Sequence, residues 1–88
     1  MKTLKAYVEE KNTWGLFFNQ TPLDINNAAD RKKIADGIDC DLSPENLHCD
    51  GEISQAQAMK KLRRLNKCAA ELLKLDPSVK AQLGEYYP

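Results

Sequence analysis

The chain has 88 residues, of which 42% are hydrophobic and 30% charged, and its formal net charge at pH 7 is zero. This length suits a single small domain over 1–88, and the composition is that of an ordinary globular protein and argues against a wholly disordered chain. No apolar run reaches the roughly 18 residues that a membrane-spanning helix needs. Charges near the start of the chain argue against a secretion signal, so the expected location is the cytoplasm, without membrane association.

The charges are unevenly distributed along the chain. Residues 1–53 carry six Lys or Arg against ten Asp or Glu, whereas residues 54–88 carry seven against three. The segment 36–52 contains six Asp or Glu and no Lys or Arg, and a basic segment from Lys60 to Lys67 follows it. Opposed blocks of this kind either pair inside the fold or present two faces to partners. Internal pairing is the simpler expectation.

Residues 2–18 fit two alternatives. Leu4, Tyr7 and Val8 have the spacing of one helical face. Leu4, Ala6 and Val8 also alternate with more polar neighbours, as in a strand that forms a hairpin with the following "WGLFFN". The sequence favours the helix and leaves the hairpin open.

Two shorter helices are predicted in the middle of the chain. The first lies near 26–37, where Asn26 or Asn27 supplies the N-cap and Gly37 is placed to end the helix. The second lies near 44–48, because a Ser-Pro-Glu sequence provides a cap, a first-turn proline and an acid at the helix N-terminus. A brief last helix is predicted after Asp76-Pro77.

The strongest prediction is a long amphipathic helix over about 54–75. Ser54 and Gln57 form a capping box at its start. One apolar stripe contains Ala58, Met59, Leu62, Leu65, Ala69, Leu72 and Leu73, with Cys68 on its flank. The expected partners of this stripe are the N-terminal aromatic residues Tyr7, Trp14, Phe17 and Phe18. The sequence therefore predicts a mainly α fold, a small helical domain built round this helix.

The loop from Asn46 to Gln57, "NLHCDGEISQAQ", resembles a calcium-binding loop in its Asp-Gly-x-Ile spacing. Calcium prefers oxygen ligands and a bidentate carboxylate at the last position of such a loop. His48 and Gln57 occupy ligand positions and cannot meet these requirements. The loop is therefore interpreted as a turn at Asp50-Gly51 that leads into the long helix.

Four zinc-type ligands occur in the chain, namely Cys40, His48, Cys49 and Cys68. They lack the paired spacing of structural zinc sites, and the sequence leaves open whether they converge. Buried or half-buried thiols are the expectation. The sequence contains no glycine-rich phosphate loop and no established Cys–His catalytic arrangement. No cofactor, metal or catalytic residue is predicted, and the chain is not expected to be an enzyme.

A basic helical face is the principal candidate site. Lys60, Arg63, Arg64 and Lys67 share one side of the long helix and could contact an acidic protein or a phosphate backbone. The zero net charge and the absence of an aromatic residue within "KKLRRLNK" weaken the nucleic-acid alternative. A face that contacts only solvent is the simplest reading.

Asn66 falls inside the apolar stripe of the long helix. A buried Asn can fix the register of a helix pair, which makes a second copy of the chain one candidate partner. An Asn at the edge of the core, bonded to water, is the alternative.

Residues Leu42 to Ser54, "LSPENLHCDGEIS", together with the charged helix that follows to about Leu75, resemble short bacterial and phage-borne proteins of unknown function. The resemblance implies a turn followed by a helix and a bacterial or phage origin, and it implies no activity or site residue. The function expected from the sequence is a non-enzymatic interaction or regulatory protein, of the phage- or prophage-related kind that the resemblance implies, which binds a protein partner through helical surfaces. The alternative is nucleic-acid binding by the basic face.

Overall fold

The computed structural model describes residues 2–14, 22–43, 46 and 55–84. Its elements are helix α1 (Lys2–Trp14), helix α2 (Ala28–Leu42), helix α3 (Gln55–Leu75) and a 3₁₀ helix (Pro77–Leu83). No strand occurs among these described residues, and the mainly α fold predicted from the sequence is confirmed. The short helix predicted near 44–48 lies outside them apart from Asn46, as do Ser54 of the capping box and the aromatic residues at 17 and 18.

Helix α1 decides between the two alternatives for the N-terminal segment. Leu4, Tyr7 and Val8 are all buried, at the spacing of a single helical face. The amide of Leu4, which has no acceptor within its own helix, donates to the Glu71 carboxylate of α3 at 2.8 Å. The hairpin alternative is wrong for Lys2–Trp14, because helix formation buries this face against α3.

The segment between α1 and α2 is held by side-chain amides. Asn12 pairs with the backbone of Leu23 through two hydrogen bonds of 2.9 Å, one in each direction. Asn27 then caps α2, as predicted, by accepting a hydrogen bond from the Asp30 amide at 3.1 Å.

Helix α2 does not end at Gly37, so that prediction is wrong. The helix continues to Leu42 because Ile38 and Leu42 extend the buried face begun by Ile34, and burial outweighs the low helix propensity of one glycine. The helix ends at Ser43, whose extended backbone (ψ 146°) is the conformation favoured before a proline.

Helix α3 has 21 residues and is therefore about 31 Å long. The longest dimension of the molecule is 36 Å, so this helix spans most of it. Its buried residues are Ala58, Leu65, Cys68, Ala69 and Leu72.

The buried face of α3 differs from the predicted one by a rotation of about 60° around the helix axis, since successive residues are about 100° apart. Cys68, which was placed outside the core, is fully buried, and Met59, which was placed inside it, is 40% exposed. The cause is the position of α1, which packs along the Cys68 side of α3, where the thiol lies 3.7 Å from the Thr3 carbonyl oxygen.

The 3₁₀ helix is the brief last helix predicted after Asp76-Pro77, and it adds Val79 and Leu83 to the buried core. Asp76 caps it by accepting hydrogen bonds from the Ser78 amide at 3.0 Å and the Ser78 hydroxyl at 2.6 Å. Arg31 of α2 binds the same carboxylate at 2.8 Å and also donates to the Ile25 carbonyl at 3.1 Å. Arg31 thus joins three parts of the chain. None of the described helices is long and apolar enough to span a bilayer.

Candidate functional site

The outer face of α3 carries three of the four predicted contact residues in one line. Lys60, Arg63 and Lys67 are exposed at intervals of three and four residues, and Lys74 continues the line one heptad further on. The line is about 21 Å long at 1.5 Å per residue. None of these side chains forms an ion pair with any other residue that the structure describes. We call Lys60, Arg63, Lys67 and Lys74 the basic row.

Arg64, the fourth predicted contact residue, faces α1 instead. Its guanidinium donates to the Glu10 carboxylate at 2.8 Å, and this hydrogen bond raises the pKa of Arg64. The two side chains remain 41% and 55% exposed, so the pair contributes at most about 1 kcal/mol to stability. Arg64 is engaged within the fold and is less available to a partner than the basic row.

A partly apolar strip runs beside the basic row on α3. Met59 is 40% exposed, and Leu62, Asn66 and Leu73 are half-buried. The amide oxygen of Asn66 is buried, and none of the residues that the structure describes donates a hydrogen bond to it. We call Met59, Leu62, Asn66 and Leu73 the apolar edge. The sequence assigned Met59, Leu62 and Leu73 to the core; Leu62 and Leu73 do pack against it while remaining half-buried, and Met59 alone of the three is exposed.

A polar cluster joins α1 to α2. The Tyr7 hydroxyl donates to Asp41 at 2.7 Å, and the Lys11 ammonium lies 2.8 Å from the same carboxylate oxygen and 5.5 Å from the centre of the Tyr7 ring. Burial, followed by the charge of Asp41, raises the pKa of Tyr7 far above its usual range. Asp41 of the acidic segment is thus paired through α1, and the cluster fixes the docking of two helices.

The zinc-type ligands are partly described. Cys40 is exposed, and the Asn46 side chain donates to its carbonyl oxygen at 2.6 Å. Cys68 is buried, and burial raises the pKa of its thiol to about 11, which keeps it protonated and poorly nucleophilic at neutral pH. No group of three or more metal-ligating side chains occurs among the residues described. His48 and Cys49 lie outside them.

A shallow groove of about 570 Å³ lies between α1 and the segment that precedes α2. It is lined by Lys2, Lys5, Val8, Glu9, Asn12, Leu23, Asp24, Ile25 and Asn26. Its rim carries both lysines and acids, so the groove presents no single charge to a ligand. Its two sides are brought together by the Asn12–Leu23 hydrogen bonds and by the packing of Val8 and Leu23 in one core, so it could not be predicted from the sequence.

No protein-family model matches the chain, and comparisons with curated proteins and with solved structures gave no match.

Proposed function

We propose that this chain is a small non-enzymatic interaction or regulatory protein that binds a protein partner through the outer face of α3. The observation that carries the proposal is the basic row, whose four cations are exposed and lack a described counter-ion. The resemblance of Leu42 to Ser54 to phage-borne proteins supports a bacterial or phage setting, and we propose that the protein acts in the cytoplasm.

The arrangement of these cations has an energetic cost in the free protein. Lys60 and Arg63 are three residues apart, and Arg63 and Lys67 are four apart, so each pair repels across one turn of the helix. Such like-charged pairs destabilise a helix by about 0.2–0.5 kcal/mol each. The carboxylates of an acidic partner would attract these cations, offset their mutual repulsion and accelerate association.

A second candidate function is binding to a nucleic-acid backbone, since the basic row is straight and about 21 Å long. The zero net charge of the chain and the lack of an aromatic side chain in the row favour the protein partner.

The test compares the natural protein with a triple variant, Lys60→Glu, Arg63→Glu and Lys67→Glu. The matched control, Lys32→Glu, Lys33→Glu and Lys80→Glu, makes the same change of charge at exposed positions on other elements. Each immobilised protein is incubated with lysate of the source organism, and captured proteins are identified by mass spectrometry. A protein that the control retains and the basic-row variant loses supports the proposal.

A fluorescent random-sequence DNA duplex, titrated with salt, tests the second candidate. Contacts with the phosphate backbone are strongest at low salt. Duplex binding at low salt that only the basic-row variant loses would therefore favour nucleic-acid binding over the protein partner. Identical protein capture by both variants would refute the first candidate, and identical duplex binding by both variants would refute the second. Circular dichroism of all three proteins verifies that each is folded.

A further inference from the structure

The apolar edge and the basic row together define the kind of partner that fits α3. We propose that the partner presents an acidic amphipathic helix, which packs its apolar side on Met59, Leu62, Asn66 and Leu73 and its acidic side on the basic row. This inference rests on the proposed function and makes it more specific.

The spacing along the edge is that of a helix-packing seam. Positions 59, 62, 66 and 73 follow the three-and-four alternation of the a and d positions in a heptad repeat. Met59 is the most exposed of them, and a flexible methionine adapts well to the surface of another helix. Ala70 is also exposed beside the seam, and its small side chain lets a second helix approach closely.

Asn66 lies in the middle of this seam. Its amide oxygen is buried without a hydrogen-bond partner in the described part of the chain, and a buried acceptor left unpaired costs about 1–3 kcal/mol. Because this oxygen is closed to solvent in the free protein, the Asn66 side chain has to turn toward the docked helix. A side-chain donor there would satisfy the oxygen and would fix the register of the pair, as a polar residue at an a position does in coiled coils.

Charge decides which helix can occupy the seam. Helix α3 carries six Lys or Arg and one Glu. The chain as a whole carries 13 basic and 13 acidic residues, so everything outside α3 is acidic on balance. Two copies of α3 packed antiparallel through this seam would bring their basic rows together, and juxtaposed like charges strongly disfavour such association. An acidic helix from a different protein gains from the same cations.

The probe is a synthetic peptide as long as α3, with leucine at its a and d positions and glutamate at the flanking positions. A control peptide has lysine in place of every glutamate. Binding to the full-length protein is measured by fluorescence anisotropy at low salt, and the contact surface is mapped by amide chemical-shift changes in a ¹H–¹⁵N spectrum. We expect the acidic peptide to bind at least about tenfold more tightly than the lysine peptide and to shift residues along the apolar edge.

Two exposed side chains on α3 provide a matched pair of variants. Met59 and Leu75 are 40% and 38% exposed, and they lie on nearly opposite sides of the helix. Met59→Ser should weaken binding of the acidic peptide about tenfold, while Leu75→Ser should leave it unchanged. Equal binding of both peptides, or equal effects of the two variants, would overturn the proposal.

Self-association is the remaining outcome, and sedimentation of the free protein measures it. A dimer that Met59→Ser dissociates would assign the seam to a second copy and overturn the acidic-helix inference. The protein captured from lysate separates this inference from the proposed function. If its binding needs the basic row and not Met59, the proposed function stands and helix docking on the apolar edge is wrong; if it needs neither, both fail.

Discussion

Asn12 offers the sharpest test of how the fold is held together. Its side-chain amide donates to the Leu23 carbonyl and accepts from the Leu23 amide, each at 2.9 Å, in the manner of one strand pairing with another. Leu23 is only 5% exposed, so its backbone groups have few other partners. Replacing Asn12 by Ala removes both bonds and frees the segment that leads into α2.

The expected loss of stability for Asn12→Ala is about 2 kcal/mol. Two neutral hydrogen bonds contribute about 0.5–1.5 kcal/mol each, and leaving buried partners unpaired adds to that cost. Alanine has a higher helix propensity than asparagine, which returns up to about 0.7 kcal/mol. Because Asn12 is half-buried, water can reach part of the vacated site and limits the total. In a domain of this size the melting temperature should fall by about 10 °C.

Urea denaturation followed by circular dichroism measures the change. The control is the variant Thr13→Val at the adjacent position. The exposed Thr13 hydroxyl that it removes donates to the Glu9 carbonyl of the same helix at 2.8 Å. That variant should lose less than about 0.5 kcal/mol. A loss below about 0.5 kcal/mol for Asn12→Ala, or equal losses for the two variants, would refute the assignment of Asn12 as the tie between α1 and the next segment.

Three further predictions concern the core, the 3₁₀ helix and the thiols. Leu72→Ala, at a fully buried position, should cost about 2–5 kcal/mol in urea denaturation, whereas Leu75→Ala on the same helix should cost less than about 1 kcal/mol; similar losses would contradict the packing of α3. Hydrogen bonds from Ser78 and Arg31 lower the pKa of Asp76 from its ordinary 3.8 to about 2. Its stabilising effect is therefore complete above about pH 4 and is lost as the pH falls through about 2. Asp76→Asn should accordingly lower the melting temperature at pH 7, with a difference that narrows between pH 4 and pH 2; a difference independent of pH would exclude this role for the carboxylate. Iodoacetamide should label Cys40 in the native protein and Cys68 only after denaturation, as read by peptide mass mapping, because Cys68 is buried and its thiol has a pKa of about 11. Labelling of native Cys68 would show that α1 does not cover it.

The candidate site was recognisable from the sequence only in part. Helical spacing alone placed Lys60, Arg63 and Lys67 on one face, because that relation depends on nothing but the helix period. The same spacing grouped Arg64 with them, and only the tertiary structure reveals its ion pair with Glu10, 54 residues away in the sequence. The exposure of Met59 could not be predicted from the sequence either, since it depends on which side of α3 the other helices cover.

Features decided by local chemistry were determined by the sequence itself. These are the long helix, the Asn27 cap and the stop at Asp76-Pro77, each of which depends on residues within a few positions of one another. Tertiary packing decided the rest. Because of it, α2 continues past Gly37 and the N-terminal segment forms a helix and not a hairpin. It also buries Cys68 and leaves Met59 exposed. The physical reason is that an amphipathic pattern gives the period of a helix, whereas its buried face is set by the neighbours that pack against it.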